Sequence, residues 1–267
     1  MLQMTVPSLE AEPADERAHT HFVLLEAEML GHHLSETLMR LFLAHRSGAA
    51  VPWIEVAGMK HPGAFKRALE SVLDEENAEA LRIGAGYVWL GTETLKDSDE
   101  EWANATERIV GYLLHFARFL VDHASTYNSA KHGLAVQPGD TKLGLVGVPG
   151  LSVEGPSLAW LDEEERASER VYVVRNRWFK LETTLALAVS GQLLLNALWN
   201  VARVRYVGWP RPDRLFVPHS IDELLGHLEN PDEEAAGITI ESAAFPPAMF
   251  CPPGAGSDRL NADLHGA

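Results

Sequence analysis

The sequence predicts a mainly α-helical fold: a bundle of four to five helices with a small antiparallel β-meander inserted before the last long helix. Three observations carry that expectation. Apolar residues recur at three- and four-residue steps through residues 20–45, and again from Trp102 to His123, which is the period of an amphipathic helix. The centre of Trp178–Val204, Leu185-Ala186-Leu187-Ala188-Val189, is apolar on all sides, the pattern of a buried central helix. Between these segments Gly139-Asp140, Pro149-Gly150 and Gly155-Pro156 punctuate short strand-like runs at about residues 140–175.

Residues 1–19 form the first division, a flexible acidic leader. Glu10, Glu12, Asp15 and Glu16 precede Arg17, and Pro7 and Pro13 interrupt the run, so the basic-then-apolar layout of a secretory signal is missing. The helical domain follows over residues 20–218. Phe22, Leu25, Met29, Leu34, Leu38, Leu41 and Phe42 mark its first helix, which Ser47-Gly48 ends. Pro52 to Met59 suits a helical turn, His61-Pro62-Gly63 is a break, and Ala64 to Leu73 a second helix. Glu79 to Leu90 gives a third element, weakened by Gly84 and Gly86. Ser98 and Glu101 have capping-box spacing ahead of a helix that runs from Trp102 to a stop at Gly133. Strands are expected at Thr141–Val148, Ser157–Leu161 and Arg170–Arg175. Residues 219–267 hold a short helix, Ile221–Leu228 capped by Ser220, an edge strand at Gly237–Glu241, and a Pro/Gly-rich tail.

Composition narrows the function classes. No uninterrupted apolar run reaches the ~18 residues that a membrane span needs, so the chain reads as soluble and cytoplasmic, with no membrane partner. The single cysteine, Cys251, rules out an internal disulfide framework and a thiolate-only metal cage. With 22 basic against 38 acidic residues, the net charge is −16 and no groove for duplex DNA is expected. A local site for a few phosphates remains compatible with that balance.

The densest cluster of chemically able side chains is Tyr127-Asn128-Ser129-Ala130-Lys131-His132-Gly133. His132 is a histidine, the residue type whose unperturbed pKa lies near neutrality, and so suits general acid–base work. Asn128 precedes it by four residues and so shares its helical face. Lys131 offers a cation for a phosphate or another oxyanion, and Tyr127 a hydroxyl and an aromatic face. The Asn128-x3-His132 spacing and the Lys131-His132-Gly133 ending resemble the HEPN superfamily of helical-bundle proteins, as does the long first helix carrying Glu26 and Glu36. The likeness spans residues 20–136 and 178–205. It implies a metal-independent RNA endonuclease, active or degenerate, without cofactor. His132 would then act in acid–base chemistry, and two copies of the motif would meet across a homodimer. The family's motif opens with an Arg that binds the scissile phosphate; here Tyr127 stands in that place, and Lys131 is the nearest substitute. Arg118 and His123 match the bare spacing, but Phe119 follows the Arg.

Two other functions fit the same residues. A non-catalytic interaction or dimerisation module would use this surface without chemistry, with Tyr127, Asn128 and His132 bonding one another and the backbone where helix meets meander. A helical metalloprotein would use Glu28, His32 and Glu36, aligned at four-residue steps, with His33, His115 or His123. The repeated Glu-x-x-His signature of dimetal bundles is missing, so no metal is expected and a solvated helix face is the plainer alternative. The basic run Arg166, Arg170, Arg175, Arg177 and Lys180 suits either an anion or the acids Asp162 to Glu165.

Overall fold

The structure, a computed structural model, describes residues 2–5, 14–91, 100–131, 136–145, 152–166, 169–178, 180–208, 218–228 and 239–245. It is a mainly α-helical bundle with an antiparallel meander ahead of the last long helix. Strand β1 (Leu2–Thr5) precedes helix α1 (Ala14–Arg46). Leu24, Ala27, Leu38, Met39 and Phe42 line the buried side of α1, and Phe22, expected on that stripe, is exposed. Helices α2 (Pro52–Gly58) and α3 (Pro62–Leu73) each begin on a proline, whose fixed φ suits the first helical position and whose missing N–H costs nothing there. Helix α4 (Ala78–Ala85) runs into a π-helical turn over Gly86–Leu90. A Cβ added at Gly84 would stand in ordinary van der Waals contact with Arg46 and Phe42 of α1, at 3.4 and 3.6 Å. Trp89, fully buried in the π turn, donates its indole N–H to the Leu194 carbonyl at 2.9 Å.

The helix expected from Trp102 to Gly133 is divided in two. Helix α5 (Glu100–Asp122) buries Ile109, Tyr112, Leu113, Phe116 and Leu120, and α6 (Ala124–Lys131) follows a turn at His123. The N–H groups of His123 and Tyr127 still reach the carbonyls of Phe119 and His123, so the chain bends there without losing its hydrogen bonds. The proposed Ser98–Glu101 cap, Gly133 and the tail after Phe245 lie outside the described residues.

The meander consists of β2 (Val136–Leu145), β3 (Ser152–Arg166) and β4 (Glu169–Trp178), longer strands than the sequence suggests. Cross-strand ion pairs of Arg170 with Glu163 and of Arg175 with Asp162 and Glu164 use the basic run to offset the acidic one. The sheet is wider than a meander, with strand order β1-β2-β3-β4-β5. Strand β5 (Thr239–Phe245) pairs with β4, close to the expected edge strand. At the other edge Leu2–Thr5 pairs with Lys142–Leu145. An open β2 edge would leave a row of unpaired N–H and C=O groups, and β1 satisfies them. Helix α1 starts at Ala14.

Trp178 ends β4 instead of opening a helix, its indole donating to the Thr141 carbonyl at 2.8 Å. Helix α7 (Leu181–Val207) then packs on α1 through Gly191, Leu194, Leu198 and Val201. It is not buried all round: Leu185, Val189 and Leu193, four residues apart, are exposed on one face. By length and composition α7 is long and apolar enough to cross a membrane, because Ser190, Gly191, Gln192 and Asn196 break its apolar run without much lowering its hydropathy. Helix α8 (Ile221–Leu228) has the expected Ser220 cap, made reciprocal by Glu223: the Glu223 N–H donates to Ser220 Oγ and the Ser220 N–H to Glu223 Oε2, each at 3.1 Å.

Candidate functional site

Three of the four predicted site residues, Tyr127, Asn128 and Lys131, lie on α6 and line one wall of a cleft of about 460 Å³. His132, the fourth, lies outside the described residues, as therefore does the expected shared face of Asn128 and His132. Lys131 occupies the last turn of α6, where a cation meets the negative end of the helix dipole. Asn128 and Lys131 are exposed, whereas Tyr127 is half-buried.

Further lining comes from α1, from the segment joining α2 to α3, and from α3 itself. It brings Glu36, Arg40, Lys60 and Lys66 to the same cleft. Arg40 is fixed from three sides. Its guanidinium pairs with Glu36 at 2.8 Å, donates to the Met59 carbonyl, and stacks over the Phe65 ring at 4.0 Å. Lys66 makes only a long, exposed contact with Glu70 at 3.8 Å, a weak pair in water. Among the described residues Lys60 and Lys131 have no ion-pair partner. Four cations therefore face one carboxylate around this cleft, in a chain whose net charge is −16.

The floor is aromatic. Tyr127 stacks on His32 with ring centroids 4.1 Å apart and planes 12° from parallel, and meets His33 edge-on at 5.4 Å. Its hydroxyl lies 3.5 Å from His33 Nδ1. Burial raises the Tyr127 hydroxyl above the usual tyrosine range, with Glu36 adding to the effect, so it stays protonated and able to donate. Burial pushes the His32 imidazole down to about 4; Arg177 and His33 push the same way, while the His123 backbone and Glu36 oppose. His32 is therefore neutral at pH 7 and is not the site's acid–base group.

Behind that floor lies a buried polar cluster. Arg177 on β4 pairs with Glu28 on α1 at 2.5 Å, both side chains almost wholly buried. His123 stands nearby, pushed down to about 3 by burial first and then by Arg177, His32 and His115. The Glu28–His32–Glu36 face is thus not the solvated face expected. Glu28 is buried against Arg177 of β4, His32 is covered by the Phe119 and Tyr127 rings, and Glu36 opens to the cleft. Among the described residues no group of three or more His, Cys, Asp or Glu is arranged to hold a metal ion. Arg118 is exposed on α5 and does not line the cleft.

Arg40, Lys60 and Lys66 are the cleft residues that sequence reasoning missed. Two signals bear on them: Glu36 and Arg40 are four apart on one helix, the spacing of a helical ion pair, and Lys60 and Lys66 flank the His61-Pro62-Gly63 break. No protein-family model matches the chain, and searches of curated proteins and of solved structures also return no match.

Proposed function

We propose that the chain is a HEPN-like protein acting on single-stranded RNA, with the α1–α3–α6 cleft as its phosphate site and His132 as the acid–base residue. One observation carries this reading: Arg40, Lys60, Lys66 and Lys131 converge on the cleft that Tyr127 and Asn128 line. The motif position that holds Arg in the family holds Tyr127 here. The cations from α1 and the α2–α3 segment supply the charge that the substitution removes. A cleft with a local surplus of positive charge attracts anions even in an acidic protein, because salt screens charges more than about a Debye length away, ~10 Å at 0.1 M. Metal-independent cleavage by attack of the ribose 2′-hydroxyl needs a phosphate clamp and a group that moves protons; Lys131 and Lys60 suit the first role and His132 the second.

The test is binding and cleavage of single-stranded RNA with chelator present, comparing the wild-type chain with His132→Ala and Lys60→Ala/Lys131→Ala. The expected result is cleavage lost in the histidine variant and binding weakened in the lysine variant. RNA bound without cleavage by any of them would mark a degenerate member. Absence of RNA binding by the wild type would sink the reading.

A second reading, an interaction or dimerisation module, is favoured by the exposed Leu185, Val189 and Leu193 on α7. An apolar stripe of that kind on a helix is a surface for self-association or a partner. Sedimentation of the wild type against Val189→Glu tests it, a monomer in both being the adverse result.

A further inference from the structure

We infer that a second cleft, at the last turns of α1 and α7, binds a small planar aromatic anion: one bicyclic ring carrying a carboxylate or phosphate. This cleft lies apart from the cationic one and shares none of its lining residues. It has a volume of about 250 Å³ and is walled by Trp53, Trp199, Tyr206 and His45, with Arg203 also lining it. The rings already form a half-box. The centroids of Trp53 and Trp199 are 5.7 Å apart, those of His45 and Tyr206 5.6 Å, and those of His45 and Trp199 6.3 Å at near right angles.

Size limits the occupant. An apolar cavity of roughly 150 Å³ holds a benzene, and drug-sized sites begin near ~300 Å³; a cleft between these takes one fused ring system and no long chain. The aromatic walls favour a flat π-face, since stacking needs no sequence of polar contacts. Trp53 is 56% exposed, an unusual cost for a large apolar ring unless something covers it.

Charge limits the occupant further. Among the described residues no carboxylate lines the cleft, while Arg203 does. Arg205 is close enough to help hold the buried His45 neutral, although its own guanidinium is engaged with the Tyr87 carbonyl and ring. At the carbonyl ends of α1 and α7 the Gly48 and Gly208 N–H groups take up the His45 and Arg203 carbonyls, which leaves the Arg203 guanidinium as the full charge among the described residues lining the cleft. An aromatic cation is therefore disfavoured and an aromatic anion favoured. His45 is 3% exposed, and its Nε2 has no hydrogen-bond partner among the described residues. Buried polar groups are paired in about nine cases of ten, and an N–H or O–H on the ligand ring would supply the missing bond.

Calorimetric titration of the full chain tests this with four probes: indole-3-acetate, adenosine monophosphate, tryptamine and cyclohexanecarboxylate. Indole-3-acetate is expected to bind at least tenfold tighter than tryptamine or the non-aromatic acid. Adenosine monophosphate binding as well would point to a nucleotide as the source of the ring, and its failure to an aromatic carboxylate. Trp53→Ala and Arg203→Gln, both at exposed positions, should each weaken binding by about tenfold with unchanged circular dichroism. Equal binding of indole-3-acetate and tryptamine, full binding in both variants, or no binding of either aromatic anion would overturn the assignment.

Discussion

Glu28 and Arg177 meet at 2.5 Å, with 2% and 3% of their side chains exposed, and so join the first helix to the fourth strand across the interior. A buried pair of this kind is costly to break and cheap to replace, because most of the loss on breaking it is the charge left stranded. Arg177→Met alone should destabilise the chain by ~3–5 kcal/mol, whereas Glu28→Leu with Arg177→Met should recover most of that loss. Urea denaturation of the two singles and the double decides it; additive losses would show that the two side chains act independently.

Acidification should weaken the fold well before the carboxylates titrate. His32 and His123 have folded values lowered to about 4 and about 3, against ~6.5 in the unfolded chain. Between those limits the unfolded state binds protons that the folded state refuses, so stability falls as pH drops through 6.5 towards 4. Each histidine contributes a slope of at most ~1.4 kcal/mol per pH unit. Denaturation midpoints at pH 7.0, 6.0 and 5.0 would show it, with His123→Gln giving a shallower fall. A flat profile from pH 7 to 5 would mean that the cluster admits water.

Salt dependence separates a phosphate clamp from a general effect of charge. For single-stranded RNA, log K against log salt should fall with a slope of ~0.7 per phosphate neutralised. Lys60→Ala and Lys131→Ala should each flatten it by ~0.7, and Lys142→Ala, on β2, should not. Anisotropy titrations at several salt concentrations provide the measurement. Equal effects of all three substitutions would argue against a defined cleft.

Gly191 marks the closest approach of α7 to its neighbours. A Cβ there would stand 2.6 Å from Leu34 Cδ2 and 3.2 Å from Phe116 Cζ. The Leu34 methyl is the free end of a side chain and can swing aside, and alanine gains ~1 kcal/mol of helix propensity over glycine, so Gly191→Ala should be near neutral. Gly191→Val adds two methyl groups against Phe116 and should destabilise by ~1–3 kcal/mol. Thermal melts of both variants test the contrast, and a valine variant as stable as wild type would mean that α7 can shift as a body.

Where a residue's role depends on its neighbours in sequence, the chain is readable. The stripe of α5, that of α1 apart from Phe22, the proline start of α2 and the Ser220 cap are local features, and they stand in the structure, whereas the helix expected from Ala64 begins on Pro62. Burial set by distant partners is not readable in this way. Glu28 and His32 look like a wet helix face until Arg177, almost a hundred and fifty residues on, pairs with Glu28 and the rings of Phe119 and Tyr127 cover His32. The helical period runs straight through the break at His123. The cleft was half visible: Tyr127, Asn128 and Lys131 form a local cluster, but Arg40, Lys60 and Lys66 join it only through the packing of α1 and α3 against α5.

The sheet has its own consequence for biosynthesis. Its outer strands come from opposite sides of the helical bundle in sequence, β1 before α1 and β5 after α8. When Trp178 leaves the ribosome, β4 has only β3 beside it. Roughly sixty residues must follow before β5 is made, on the order of several seconds at ordinary elongation rates. During that interval the β4 edge is a nascent-chain hazard, open to a neighbouring polysome's copy of the same strand. The two pieces of chain made while it waits are α7 and α8, so a slow codon run there would lengthen the exposure, and a fast one would shorten it.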